Sequence, residues 1–349
     1  MAGLTPTQID DLVASTFNMV QRKSWIDLSV NSQEYTVARF MSRKDAAISW
    51  GGGPRYEWKL QVANDRNARW SMLFDSDQTS INNLLVTATV DMRKMTTNFS
   101  YDVDESAFNS GNMEQILDYI AVREHSCQTD SFELLETAFW SAPASSSVTP
   151  MPMVGVPFYV QSAGATTNVG FNGLNPAGFA AGCGNVSAIT YPNWANINGL
   201  YTTISTADLI TKINRAMSLG NFIPPDPYKE IGGGGPGRYG FYTTLSIRDE
   251  ISALMETRND NLGYDFKFRE PLFGRMPVEW APRLDSRTDG PFYGIDWKHL
   301  QMVFLKGRQR QRSNPIVAQG QHTVRVVHED SWMELICRNR RSQFVLTTS

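Results

Sequence analysis

The stretch Tyr56-Glu57-Trp58-Lys59-Leu60-Gln61-Val62 alternates large apolar and polar side chains without a break. A polar turn follows over Asn64 to Asn67, after which Trp70, Met72 and Phe74 suggest a returning strand. A second run sets Leu84, Val86, Ala88, Val90 and Met92 against Leu85, Thr87, Thr89, Asp91 and Arg93, and Phe99, Tyr101 and Val103 carry it onward. A period of two means strands with one apolar and one polar face. A two-stranded ribbon is marginal in water unless another surface covers its apolar face. No neighbouring stretch of sequence offers an obvious cover. Two readings compete, an arm that lies on a neighbouring subunit and an ordinary sheet packed on its own domain.

Outward from the ribbon, Gly51-Gly52-Gly53-Pro54 breaks regular structure and lets the ribbon leave the body. Before it, residues 7–20 carry Ile9, Leu12, Val13, Phe17 and Val20 at helical spacing, and Trp25 to Phe40 reads as extended. Beyond it the spacing predicts one long helix from Met113 to Trp140, with Asn112 and Gln115 as a capping pair and Pro143 as the stop. At 1.5 Å per residue it is roughly 40 Å long. Residues 141–200 are rich in Gly, Pro, Asn and Ser and read as loops with short strands such as Pro157 to Gln161. Ser205 with Asp208, and Ser246 with Asp249, mark the starts of two further helices, separated by the loop Gly232–Gly237. The last third is strand-like at Val278–Trp280, His299–Leu305, His322–Val327, Met333–Cys337 and Gln343–Leu346.

With 349 residues the chain can bury a large core, as one large domain or two. A net charge of -3 argues against a surface built mainly to grip nucleic acid. Cys127, Cys183 and Cys337 are scattered and odd in number, which fits neither a disulfide framework nor a zinc site. Without a signal-like start or an apolar run of spanning length, the expectation is a soluble chain made inside the cell, with no membrane partner.

Motifs for chemistry are weak. Gly232–Gly237 lacks the Lys-Ser/Thr of a phosphate loop, and Pro236 removes a backbone donor. Gly182-Cys183-Gly184 begins like a dinucleotide fingerprint, but Ser187 stands where the next glycine is needed. His328-Glu329-Asp330 lies in one strand, where successive side chains point to opposite faces and cannot converge. Glu133 with Glu136, and Asp102 with Asp104 and Glu105, read as solvated or arginine-paired carboxylates. No catalytic residue, cofactor or metal is expected. Two basic runs remain, Lys306–Arg312 with Arg308, Arg310 and Arg312, and Arg338-Asn339-Arg340-Arg341. They read as contacts with phosphate or acidic neighbours, or as solvated loops.

Taken in order, these parts resemble the major capsid proteins of tailed bacteriophages, of the Hong Kong ninety-seven type. The wording is similar at Tyr56-Glu57-Trp58-Lys59-Leu60, at Glu133-Leu134-Leu135-Glu136 with Phe139-Trp140, and at Asn259-Asp260-Asn261-Leu262-Gly263-Tyr264-Asp265. It is similar again at Pro291-Phe292-Tyr293-Gly294-Ile295-Asp296-Trp297 and Arg340-Arg341-Ser342-Gln343-Phe344-Val345-Leu346. The resemblance implies an α+β capsid fold with an N-terminal arm (1–49), an extended two-stranded loop (50–104) and a peripheral domain with a spine helix (105–149). An axial domain (150–285) and return strands of the peripheral domain (286–349) complete it. It further implies hexamers and pentamers in an icosahedral virion shell, assembled in the host bacterial cytoplasm around non-specifically contacted double-stranded DNA. Portal, decoration and scaffolding proteins are the implied partners, the scaffold separate because only a short helix precedes the arm. Lys59 lies in the loop, but no cross-linking partner matches, so no covalent bond between subunits is implied. Intersubunit contact is expected at Tyr56, Trp58, Leu60, Val62 and Trp70, and at Arg308, Arg310 and Arg312. The competing classes are a β-rich phage fibre or glycan-binding module, and a hydrolase with a dispersed site.

Overall fold

The structure is a computed structural model, and it describes residues 36–41, 46–65, 67–76, 81–104, 113–222, 238–256, 272–273 and 276–349. The expected helix at 7–20, the Asn112 cap, the Gly232–Gly237 loop and the stretch 259–265 lie outside them. In chain order the strands are β1 (Ala47–Trp50), β2 (Arg55–Gln61), β3 (Leu85–Asp91), β4 (Arg93–Asp102), β5 (Ile197–Tyr201), β6 (Tyr239–Thr243) and β7 (Leu272–Phe273). They continue with β8 (Met276–Trp280), β9 (Phe292–Asp296), β10 (Leu300–Leu305), β11 (Gln311–Arg312), β12 (Ile316–Ala318), β13 (Gln321–Cys337) and β14 (Phe344–Thr348).

Two six-stranded sheets organise the body. In the first, β13 is the hub: it pairs with β10, β11, β12 and β4, and β1 extends the sheet beyond β10. The expected strands at His322–Val327 and Met333–Cys337 are thus one strand of 17 residues. Its C-terminal half is almost wholly buried, whereas its N-terminal half is covered on one side. The second sheet runs β5-β14-β9-β6-β8-β7. Residues 286–349 therefore contribute to both sheets, because β9 and β14 pair with each other and with β6 and β5.

The long helix forms as its spacing predicts, over Met113–Phe139. Ile120 and Cys127 meet Phe99, Tyr101 and Val327 of the first sheet. Its C-terminal turn enters the main core, where Phe139 and Trp140 pack with Phe40, Trp297 and Tyr242. Glu136 is buried there and accepts hydrogen bonds from the Val37 N–H at 2.9 Å and the Trp140 Nε1–H at 3.0 Å. A second core, of Ile197, Leu209, Ile213, Phe241, Ile247, Ile251, Phe292 and Phe344, sits between the second sheet and its two helices. Ser205 caps the first of these as expected, accepting from the Asp208 N–H at 3.2 Å.

Four local expectations are corrected. Thr36–Met41 is helical, not extended. Val156–Tyr159 is a helical turn, not a strand; Pro157 fits its start because a first-turn N–H has no helical acceptor in any case. The second capped helix starts at Leu245, so Thr244 and not Ser246 precedes it, and the Leu245 N–H donates to Asp285 Oδ1 at 2.9 Å. Trp70, Met72 and Phe74 lie in no strand, and the return partner of β2 is β3.

Candidate functional site

The ribbon β2–β3 pairs in register from Arg55 opposite Asp91 to Gln61 opposite Leu85. Tyr56, Trp58 and Leu60 share one face with Val86, Ala88 and Val90, and that face is not bare. Trp58, Leu60 and Val86 pack against Val186, Tyr191 and Trp194, while Tyr56, Trp58 and Val90 pack against Met92, Val303, Ile336 and Trp332. Gly184, with a left-handed φ of 63°, admits the Trp58 ring: a Cβ there would lie 3.2 Å from Trp58 Cη2. Three hydrogen bonds fasten the root, from the Thr89 N–H to the Gly184 carbonyl (2.9 Å), from Asn185 Nδ2 to Thr89 Oγ1 (2.6 Å) and from Asn193 Nδ2 to the Val62 carbonyl (3.0 Å). Of the two readings, an arm on a neighbouring subunit and a sheet packed on its own domain, the root of the ribbon follows the second. Much of the cover comes from distant segments, residues 183–194 and 303–336.

Beyond Val62, itself buried, the situation reverses. Trp70 is 102 %, Phe74 102 % and Ile81 97 % exposed, and Met72 and Leu73 are nearly as bare. An ion pair between Arg69 and Asp75 at 3.1 Å closes the tip. Exposed apolar side chains grouped in this way are characteristic of interaction surfaces. Of the ribbon residues singled out from sequence, Trp70 is on this bare tip, and Tyr56, Trp58, Leu60 and Val62 are at the covered root.

The basic run after β10 is divided in the same way. Arg310 Nε lies 2.6 Å and Arg312 Nε 3.0 Å from the buried Glu329 carboxylate. Arg312 also reaches Glu124 on the long helix at 2.5 Å. Both satisfy acids of their own chain, which corrects the reading of the whole run as a free basic surface. Arg308 is exposed and donates to Gln311 Oε1 at 2.7 Å. In the second run Arg340 is fully buried, donating to the Tyr159 carbonyl (2.7 Å), the Leu174 carbonyl (3.2 Å) and Asn196 Oδ1 (3.0 Å). It is a core cross-brace, not a solvated cation.

One carboxyl escaped the sequence reading. Glu334 on β13 is fully buried, accepts from the Val154 and Leu335 N–H groups at 2.9 and 3.0 Å, and lies 3.6 Å from Arg93 Nε. Burial pushes its carboxyl up to about 8, outweighing both backbone donors and the guanidinium. Nothing in an alternating strand marks which acid faces inward, so sequence held no signal for it. His328 and Asp330 point away from Glu329 as the strand period requires, and Asp330 pairs with Lys94 at 2.9 Å. Among the described residues no group of His, Cys, Asp and Glu is arranged to hold a metal ion, and no helix is long and apolar enough to cross a membrane.

No protein-family profile matches the chain, and no curated protein matches it. Solved structures do. The capsid asymmetric unit of cyanophage A-1(L) superposes with a TM-score of 0.65 at 14% identity, over 95% of this chain and 98% of that one. The capsid of the empty GTA particle gives 0.57 at 8% identity, over 95% and 96%. A structure from Microbacterium phage Oxtober96 gives 0.54 at 10% identity, over 96% and 98%. Such low identity over nearly complete chains is a likeness of fold. The chain has the α+β fold of phage capsid subunits, the Hong Kong ninety-seven type that its order of elements resembled.

Proposed function

We propose that the chain is the major capsid protein of a tailed bacteriophage, forming hexamers and pentamers in an icosahedral head shell around double-stranded DNA. The observation that carries this is the bare apolar tip of Trp70, Met72, Leu73, Phe74 and Ile81 on a subunit with a capsid fold. A closed shell repeats one interface many times, so each tip can be covered by a neighbouring copy. In this reading the ribbon root orients the loop, the tip makes the contact, and the exposed Arg308 meets acidic neighbours or DNA phosphates. The division into arm, loop, peripheral and axial parts belongs to the same proposal. So do the portal, a separate scaffolding protein, a decoration protein and assembly in the host cytoplasm. The role is structural, and the fold lends no support to a fibre module or a hydrolase.

Negative-stain imaging of the chain expressed with its phage's scaffold tests this. Rings and closed shells are expected. A compact monomer at every concentration and ionic strength refutes the proposal.

A further inference from the structure

β2 pairs with β3 along one edge only; among the described residues its other edge has no backbone partner. The last three residues of β2, Lys59–Gln61, and the three that follow, Val62–Asn64, line a cleft of about 840 Å3. Successive strand side chains point to opposite faces, so Lys59, Leu60 and Gln61 together in the lining mean that the cleft runs past the backbone edge of the strand. Asn193, Trp194, Arg338 and Arg341 line the cleft with them. The cations of the lining are Lys59, Arg338 and Arg341, and no carboxylate is found among its described residues. Lys59 and Arg338 are exposed and form no ion pair among the described residues. Arg341 is held in place, its Nη1 2.9 Å from Asn193 Oδ1 and its guanidinium 4.0 Å above the Phe171 ring.

An open strand edge offers N–H and C=O groups at strand spacing and is a template for another strand. Lys59 on that edge, with Arg338 and Arg341 beside it, repels a basic strand and attracts an acidic one; Glu57 and the Arg55–Asp91 pair lie further along the ribbon, outside the cleft. A phosphate polymer would use the three cations and leave the backbone edge unpaired. We propose that this cleft binds an extended acidic segment of a partner protein as a third strand on the Lys59–Gln61 edge of β2, with carboxylates on Lys59, Arg338 and Arg341.

Fluorescence anisotropy with the labelled peptide Glu-Val-Glu-Val-Glu-Val and the full chain tests this. Saturable binding is expected, at least tenfold weaker in the double variant Arg338→Gln, Arg341→Gln, and absent for the Lys-Val counterpart. Amide hydrogen exchange over residues 59–62 should slow on saturation, which attraction between charges alone does not produce. Should the double variant melt early, Arg338→Gln alone, at an exposed position, is expected to weaken binding at least threefold. No binding of the peptide overturns the proposal. So does equal binding of hexaglutamate or of a twelve-residue oligothymidine without slowed exchange, which would make the cleft a plain anion patch.

Discussion

Glu334 and Arg340 are charged types in the deepest parts of the fold, and each is settled by its surroundings. The Glu334 carboxyl is held up to about 8, well above its ordinary range of about 4.3 in an unfolded chain. Between those values the unfolded chain releases the proton and the folded one keeps it. Stability is therefore fully present at low pH and falls as pH rises toward 8, by about 1.4 kcal/mol per pH unit at most. Glu334→Gln removes this loss, so thermal melts of the two proteins should converge near pH 5 and separate in favour of the variant near pH 8. A constant gap across that range would mean that Arg93 already holds the carboxylate ionised. Arg340 serves three acceptors, and Arg340→Leu removes its donors from the buried Tyr159 carbonyl and Asn196 Oδ1. The expected cost is about 3 kcal/mol or more, read from denaturant midpoints.

At the scale of the element, the ribbon is one hairpin with two environments. Its root is anchored by Trp58 over Gly184, and its tip carries Trp70 and Phe74 in water. Trp58→Ala should therefore destabilise the isolated subunit by about 2 kcal/mol, a partial share of what a fully buried large side chain contributes. Trp70→Ser with Phe74→Ser should leave the melt within about 0.5 kcal/mol and cut the yield of shells. If the tip variant melts early or assembles normally, the tip is not the contact. The alternation alone gave the faces of β2 and β3, since period two fixes which side chains share a face. What covers each part depended on residues 183–194 and 303–336, which no local pattern joins to residue 58.

Over the whole molecule, the basic run and the long helix are tied together. Arg312 bridges Glu329 on β13 and Glu124 on the helix, so Arg312→Gln leaves two acids without this partner and should cost about 1–3 kcal/mol in stability. Arg308 has no such duty. Arg308→Gln should leave the melt unchanged and weaken the dependence of shell assembly on salt, because an exposed charge acts mainly through forces that ions screen. Assembly yields titrated from low to high ionic strength check this, and identical curves for variant and wild type remove Arg308 from the interface.

The amino-acid order alone determined the long helix, the ribbon faces, the Ser205 cap and the sequence of parts that resembles a capsid subunit. Each rests on periodicity, capping or spacing, which act over a few residues and are written locally. Tertiary structure decided the rest. It merged two strands into β13, drew β9 and β14 into the second sheet, buried Arg340 and Glu334, and paired Arg310 and Arg312 with Glu329. It also left Trp70, Met72, Leu73, Phe74 and Ile81 bare. Those outcomes depend on which distant segments meet, and the free energy of burying a side chain belongs to the meeting surfaces and not to the residue itself.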